Sequence, residues 1–242
     1  MPRLSSVYAV FVAVLFLAAG AAEAQTLDEI IARNIKSKGG LEKIRATTSV
    51  KMTGKVAADG KDIVMTIWAR RPNMMRREYT VDGKSVVNAF DGTTLWMSAG
   101  TAPPQAMPGP QAAYAKQESE FDSVFVDYKE KGHAIEFLGK EKVNGKDAYR
   151  LKVQKKGGPP QDYFLDAETG LEIKISTNVD QGGSPGAIVT EMSDYRDVDG
   201  RLVPFSTKQL VNGKVMASIA LDWVEFNVPV DESVFSMPKA TK

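Results

Sequence analysis

The chain has 242 residues, of which 43% are hydrophobic and 25% are charged, and its formal net charge at pH 7 is +1. These values are typical of a globular protein, and they exclude a disordered chain and the charge excess on which nucleic-acid binding depends. There is no cysteine, and His133 is the only histidine. The chain therefore lacks a thiol nucleophile, and one histidine is too few for most histidine metal sites and a weak basis for a Ser-His-Asp triad. We expect a protein that is not an enzyme and that uses no cofactor, metal or nucleic acid.

The first 24 residues have the three parts of a cleavable signal peptide. Arg3 supplies the positive n-region, residues 7–20 form the apolar h-region, and the stretch from Ala22 to Ala24 is a small-x-small cleavage site. The apolar run is shorter than the roughly 20 residues that span a bilayer, so a membrane anchor is the less favoured interpretation. We predict that residues 1–24 are removed on export, and that residues 25–242 form one domain in the periplasm.

An amphipathic helix is predicted at the start of the mature chain. Thr26 can cap it, and Glu29 can complete a capping box three residues later. Gly39 and Gly40 end the helix. The apolar residues at helical spacing are Leu27, Ile30, Ile31 and Ile35.

From residue 47 onward the period of the pattern changes to two. Asp-Gly or Asn-Gly pairs recur between alternating segments, and they are strong hairpin signals because type I′ turns need positive φ. The pairs begin at Asp59, Asp82, Asp91, Asn144, Asp199 and Asn212. The spacing predicts an antiparallel meander of about 11–12 strands.

The stretch DYRDVDGRLVPF, residues 194–205, has the acidic spacing of a calcium loop. A helix-loop-helix calcium site needs flanking helices and a terminal bidentate glutamate, whereas here the flanks alternate as strands do. We therefore predict a hairpin tip at Asp199, and no metal site.

Two stretches interrupt the meander. Residues 99–111 are rich in Gly, Pro and Ala and cannot form a strand interior, and QGGSPG at residues 181–186 is a loose loop. After the first stretch, a second helix is predicted within residues 112–132. Its aromatic stripe contains Tyr114, Phe121, Phe125 and Tyr128.

The strands are apolar on one face only, and two helices are few to cover so broad a face. The sheet must close into a barrel, or curl into a half-barrel with helices over its open side. Periodicity leaves open whether the interior is packed or holds a ligand, although ten methionines suit a surface that accommodates varied apolar ligands. The predicted cavity residues are Ile63, Met65, Ile67, Ala69, Trp96, Ile173, Ile219, Leu221 and Trp223.

The alternation that includes Ala69 places Arg71 on the same apolar face. A guanidinium group there needs carbonyl or carboxylate partners. Pro72 could instead bend the chain and turn Arg71 outward, so both orientations stay open.

Three phrases resemble the LolA family of periplasmic outer-membrane lipoprotein carriers. They are IWARRPN at residues 67–73, FDGTTLW at residues 90–96 and FNVPVDESVFSMP at residues 226–238. The resemblance implies a mainly β (α+β) fold, in which a curved antiparallel half-barrel is covered by an N-terminal helix and a helical lid. It also implies that Arg71 contacts the lid, and we assign Phe121 and Phe125 as further lid contacts.

The resemblance further implies a cavity for the acyl chains of lipoproteins or of another lipid. A carrier of this kind would act as a monomer, receive cargo from an inner-membrane transporter and deliver it to an outer-membrane acceptor, with peripheral membrane contact. The alternative is a periplasmic regulatory module with the same fold that senses lipid or lipoprotein. A hydrolase would require turnover that depends on a specific carboxylate.

Overall fold

The computed structural model of the protein describes residues 25–109, 112, 115, 116, 118–180 and 185–238. The predicted signal peptide, Tyr114 and most of the loop at residues 181–186 lie outside the described residues. Within those ranges, no helix combines the length and hydropathy needed to cross a bilayer.

The described residues form one antiparallel sheet of thirteen strands, and two α-helices precede it in the chain. The helices are α1 (Leu27–Ser37) and α2 (Leu41–Ala46), and a 3-10 turn spans Glu232–Val234. The strands are β1 (Ser49–Ala58), β2 (Lys61–Arg70), β3 (Met74–Val81), β4 (Lys84–Phe90), β5 (Leu95–Ala99), β6 (Gln105–Ala106), β7 (Ala134–Val143), β8 (Lys146–Gln154), β9 (Pro160–Asp166), β10 (Glu172–Asp180), β11 (Pro185–Val198), β12 (Arg201–Val211) and β13 (Lys214–Phe226).

The sheet is an open half-barrel, and its strand order explains where the chain crosses its open side. The order is β6-β5-β4-β3-β2-β1-β13-β12-β11-β10-β9-β8-β7, so β6 and β7 are the two edges. The chain between them must therefore pass from one edge to the other, and residues 118–125 of it lie against the concave face. Strand β6 lies in the Gly/Pro/Ala stretch that was expected to contain no strand, and it brings the count to thirteen.

Local sequence sets the hairpins and the first helix. Five of the six predicted turns have Asp or Asn at positive φ, between 49° and 53°, followed by glycine; the exception is Asp91. At the start of α1 the Thr26 hydroxyl accepts from the Glu29 amide at 3.3 Å, and the Glu29 carboxylate accepts from the Thr26 amide at 2.8 Å. The tip at Asp199 is a hairpin turn, as predicted, and the Asp197 carboxylate accepts from the Gly200 amide.

Helix α1 packs on the concave face of β7–β10 and is tied to the turn between β9 and β10. Asn34 is fully buried and donates from its side-chain amide to the Gly170 carbonyl at 2.8 Å, and Arg33 donates to the Ala167 carbonyl at 2.6 Å. The core beneath the helix consists of Ile30, Ile31, Val124, Phe125, Tyr149, Leu151, Val153, Tyr163 and Leu165, each at most 6% exposed.

The predicted second helix is shorter than expected. Residues 112, 115, 116 and 118 are helical, but turns occupy most of residues 119–132. Asp122 and Ser123 favour turns, and Asp127 has φ +51°, a value at which a helix cannot continue. We call residues 118–132 the lid segment.

Candidate functional site

A cavity of about 380 Å³ lies between the concave face of the sheet and the lid segment. Ligand sites in proteins commonly have volumes of about 300–1,000 Å³ and mostly apolar walls. Here the apolar wall consists of Ile44, Val50, Met52, Ala69, Met75, Phe121, Leu202, Val203, Pro204, Val224 and Phe226.

Strand pairing explains why these residues share a face. Val50 is opposite Ala69 on one side and Phe226 on the other, and Met52 is opposite Val224. Residues directly opposite each other in a sheet point to the same side. Helix α2 closes one end of the cavity through Ile44, which also lines it.

Arg71 connects three parts of the chain at the mouth of the cavity. Its guanidinium donates to the Thr47 carbonyl at 2.6 Å, to the Ile44 carbonyl at 2.8 Å and to both carboxylate oxygens of Asp122 in the lid segment. The guanidinium carbon also lies 4.8 Å from the ring centroid of Phe121. Arg71 therefore points inward, and the outward orientation is wrong.

A smaller polar space of about 220 Å³ adjoins the cavity. It shares Lys38 and four lid residues, Glu118, Glu120, Asp122 and Ser123, with the apolar cavity. Tyr163 lines it as well, and burial raises the pKa of its hydroxyl above the ordinary value of 10.0, with the carboxylate of Glu172 adding to the shift. The apolar cavity thus has one charged end.

The predicted residues of β2 all face the concave side. Ile63, Met65, Ile67 and Ala69 are opposite Val56, Gly54, Met52 and Val50, respectively. Of these four, Ala69 lines the cavity, and Met65 is 1% exposed. Ile219 and Leu221 share this face through pairing with Val56 and Gly54, but they lie beyond the walls of the cavity.

Ile173 and Trp223 lie on the convex face, which corrects two of the predicted cavity positions. A β-bulge between Glu172 and Lys174 turns Ile173 toward Phe164 and away from the interior. A second bulge, between Leu221 and Trp223, leaves Trp223 opposite Thr53 and 63% exposed. Each bulge adds one residue and so inverts the alternation on which the prediction rested.

Trp96 also lies on the convex face, where the C-terminal segment covers it. It is 1% exposed, and its indole nitrogen donates to the Phe235 carbonyl at 2.7 Å. Trp96 is opposite Ala89, Ala89 is opposite Arg76, and Arg76 is opposite Trp68. Trp68 follows Ile67 on β2 and so points to the other face, which places Trp96 on the convex side.

The two aromatic lid residues have different surroundings. Phe121 lines the cavity, whereas Phe125 is 1% exposed in the core and makes an edge-to-face contact with Tyr163. Nine apolar lining residues were not predicted from the sequence: Ile44, Val50, Met52, Met75, Leu202, Val203, Pro204, Val224 and Phe226. The alternation of Val50 and Met52 on β1 was the signal that could have identified those two.

His133 is held by structural contacts. Its Nδ1 accepts from the Lys156 amide at 3.1 Å, and its Nε2 lies 3.6 Å from the Glu120 carboxylate. Among the described residues, no group of three or more His, Cys, Asp and Glu side chains could hold a metal ion.

No known protein family and no curated protein matches the sequence. The fold, however, is similar to that of solved structures. A DUF1329 family protein from Desulfovibrio piger superposes with a TM-score of 0.61 at 11% identity, covering 86% of this chain and 96% of that one. A LolA superfamily protein from Nitrosomonas europaea gives 0.58 at 12% identity and covers 88% and 98%.

The protein has a LolA-like fold. A Vibrio parahaemolyticus domain assigned to outer-membrane lipoprotein sorting also superposes, with a TM-score of 0.58 at 12% identity over 80% of this chain and 93% of that one. The curved open sheet predicted from the sequence is confirmed. The match extends over most of both chains in each pair.

Proposed function

We propose that the protein is a periplasmic carrier that holds the acyl chains of a lipoprotein or of another lipid in the cavity beneath the lid segment. The observation that carries this proposal is the apolar wall of the cavity, with Val50, Met52, Met75 and Phe226 facing about 380 Å³ of space. Each methylene group buried there contributes about 0.8 kcal/mol, so part of one acyl chain suffices for useful affinity.

Release requires movement of the part of the lid segment that covers the cavity, residues 118–123. Its links to the cavity mouth are few and polar: the Arg71–Asp122 pair, the contact of Arg71 with the Phe121 ring, and a weak bond from the Phe121 amide to the Pro72 carbonyl at 3.4 Å. Breaking such contacts does not expose a large apolar core. Residues 118–123 can therefore move without unfolding the sheet, while Val124, Phe125 and Val126, each at most 6% exposed, stay in the core.

The direct test is native mass spectrometry of protein taken from its own periplasm, followed by extraction and identification of any bound lipid. A fluorescent fatty acid then measures affinity. Met52→Trp fills the cavity and should abolish binding. Val64→Trp adds the same side chain at an exposed convex position, 56% exposed, and should bind as the unaltered protein does. If the protein carries no lipid and also fails to bind the fatty acid, the carrier proposal is refuted.

Crosslinking in the intact envelope distinguishes the carrier from a regulatory module. A carrier should crosslink to lipoproteins, to an inner-membrane transporter and to an outer-membrane acceptor. Crosslinks to a sensor protein alone would instead support the regulatory alternative.

A further inference from the structure

The charges that line the cavity and its polar extension are almost all paired. Four carboxylates lie there, three on the lid segment and one on β10, and each has a cation within 4.0 Å. The pairs are Lys38–Glu172 at 2.5 Å, Lys155–Glu118 at 3.6 Å, Lys131–Glu120 at 2.6 Å and Arg71–Asp122. In each pair the cation neutralises the carboxylate.

Arg201 is the exception. It lines the cavity, and no carboxylate within the described part of the chain lies within 4.0 Å of its guanidinium. One terminal nitrogen donates to the Thr47 hydroxyl at 2.7 Å and to the Lys43 carbonyl at 3.4 Å. The Nε–H group is buried and has no acceptor among the described residues.

The position of Arg201 is fixed from two sides. Its guanidinium carbon lies 4.3 Å from the ring centroid of Phe226, which forms part of the apolar wall, and its bonds to Lys43 and Thr47 tie it to the region of α2. A guanidinium has five N–H donors arranged as a planar fork that fits the two oxygens of a carboxylate or phosphate. Arg201 is therefore held in place with donors to spare, beside an apolar space.

We infer that Arg201 binds the anionic head of the ligand, so that the cargo is an anionic amphiphile with an oxyanion close to its acyl chain. This inference rests on the proposed function, because it presupposes that an acyl chain occupies the cavity. A single oxyanion neutralises the one unpaired cation of the lining and gives the buried Nε–H its acceptor. Such charge-assisted bonds are stronger than those between neutral groups.

A ligand series on the unaltered protein tests the inference. Palmitate, hexadecanol, a lysophosphatidic acid with one saturated chain and inorganic phosphate are compared by calorimetry at pH 8, each lipid below its micelle concentration. We expect palmitate or the phosphate-headed lipid, or both, to bind about tenfold or more tightly than hexadecanol. The tighter of the two identifies the head group as carboxylate or phosphate. Inorganic phosphate alone should bind far more weakly.

Each other outcome overturns a defined statement. If palmitate, lysophosphatidic acid and hexadecanol bind equally, the role of Arg201 is wrong and the carrier stands. If none of the three lipids binds, both proposals fail. If inorganic phosphate binds as tightly as the lipids, the statement that the cargo is an amphiphile is wrong.

Arg201→Gln separates recognition from a purely structural role. The variant should lose the preference for the anion and retain its affinity for hexadecanol, whereas Arg201→Lys should keep part of the preference. Loss of α2 packing alone would weaken every ligand equally and would overturn the inference. Arg196→Gln is the control, because Arg196 is an exposed arginine on the neighbouring strand that pairs with Asp194. If Arg201→Gln does not fold, the ligand series on the unaltered protein still decides.

Discussion

Two regions of the same concave face are filled in different ways. Over β7–β10, the eleven-residue helix α1 and part of the lid segment pack on the strands. The residues of the core that they form with the strands are at most 6% exposed. Over β1–β3 and β12–β13, the cover is α2 and residues 118–123, which leave a cavity of about 380 Å³. We call these the packed region and the cavity region.

The difference follows from the two helices. Helix α1 is amphipathic, and Ile30 and Ile31 on its apolar face are buried in the packed region. Helix α2 has six residues, and none of them is buried. A continuous sheet can thus be stabilised at one end and keep space for a ligand at the other, since removing apolar area from water stabilises a fold wherever along the sheet it occurs.

The largest expected effect separates the two regions by stability. Phe125→Ala removes a ring that is 1% exposed and contacts Tyr163 edge to face, so it should lower the free energy of unfolding by about 3–5 kcal/mol. Urea denaturation followed by tryptophan fluorescence measures the change.

Met52→Ala is the matched control in the cavity region. Met52 is half-buried and already borders the cavity, so its truncation should cost about 1 kcal/mol or less while enlarging the cavity. Equal losses for the two variants would show that the cavity region is packed as tightly as the other.

The next effect concerns the boundary between the sheet and the lid segment. Arg71→Leu leaves Asp122 without its cation and the Thr47 carbonyl without its side-chain donor, while the Ile44 carbonyl keeps only the Thr47 amide. The expected loss is about 1–3 kcal/mol, toward the lower end because the Arg71 side chain is 27% exposed.

Hydrogen exchange should locate this loss. Amides of residues 118–123 are expected to exchange faster in Arg71→Leu, whereas those of α1 should not change. Arg70→Leu is the control, because Arg70 pairs with Glu232 in the C-terminal segment. Faster exchange spread evenly over the sheet would mean that Arg71 supports the whole fold and does not act on the lid segment.

The parts of the fold that were predictable from the sequence depend on residues that are close together in the chain. The capping box at Thr26 and the turn at Asp199 each lie within four residues, and both formed as predicted. The alternation that placed Arg71 on the apolar face holds because β2 pairs with β1 without interruption up to Arg70, although the sequence left the effect of Pro72 open. Alternation is a reliable guide wherever the ladder is regular.

The errors arose where contacts between segments far apart in sequence determine the face on which a side chain lies. The bulge that displaces Trp223 depends on Gly54, where a Cβ atom would lie 2.2 Å from the Ala220 carbonyl oxygen. That approach joins strands far apart in sequence, so periodicity within β13 could not reveal it. Trp96 was misplaced for a similar reason, because the C-terminal segment that covers it comes 139 residues later.

The smallest effect is a dependence on alkaline pH that originates in the packed region. The pKa of Tyr163 is raised in the folded state, chiefly by burial, while the unfolded chain has the ordinary value of about 10. The unfolded state therefore loses its proton first as pH rises above 10, and folding loses stability there. At pH 11 the loss is about 1.4 kcal/mol for this one group.

Tyr163→Phe removes the ionisable group and keeps the ring against Phe125. Urea denaturation at pH 8 and pH 11 should show a smaller alkaline loss in this variant than in the unaltered protein. The same slope in both would mean that the Tyr163 hydroxyl ionises freely in the folded state. Its surroundings would then be wet, and the contrast between a packed and an open region would not extend to the side of the cavity that Tyr163 borders.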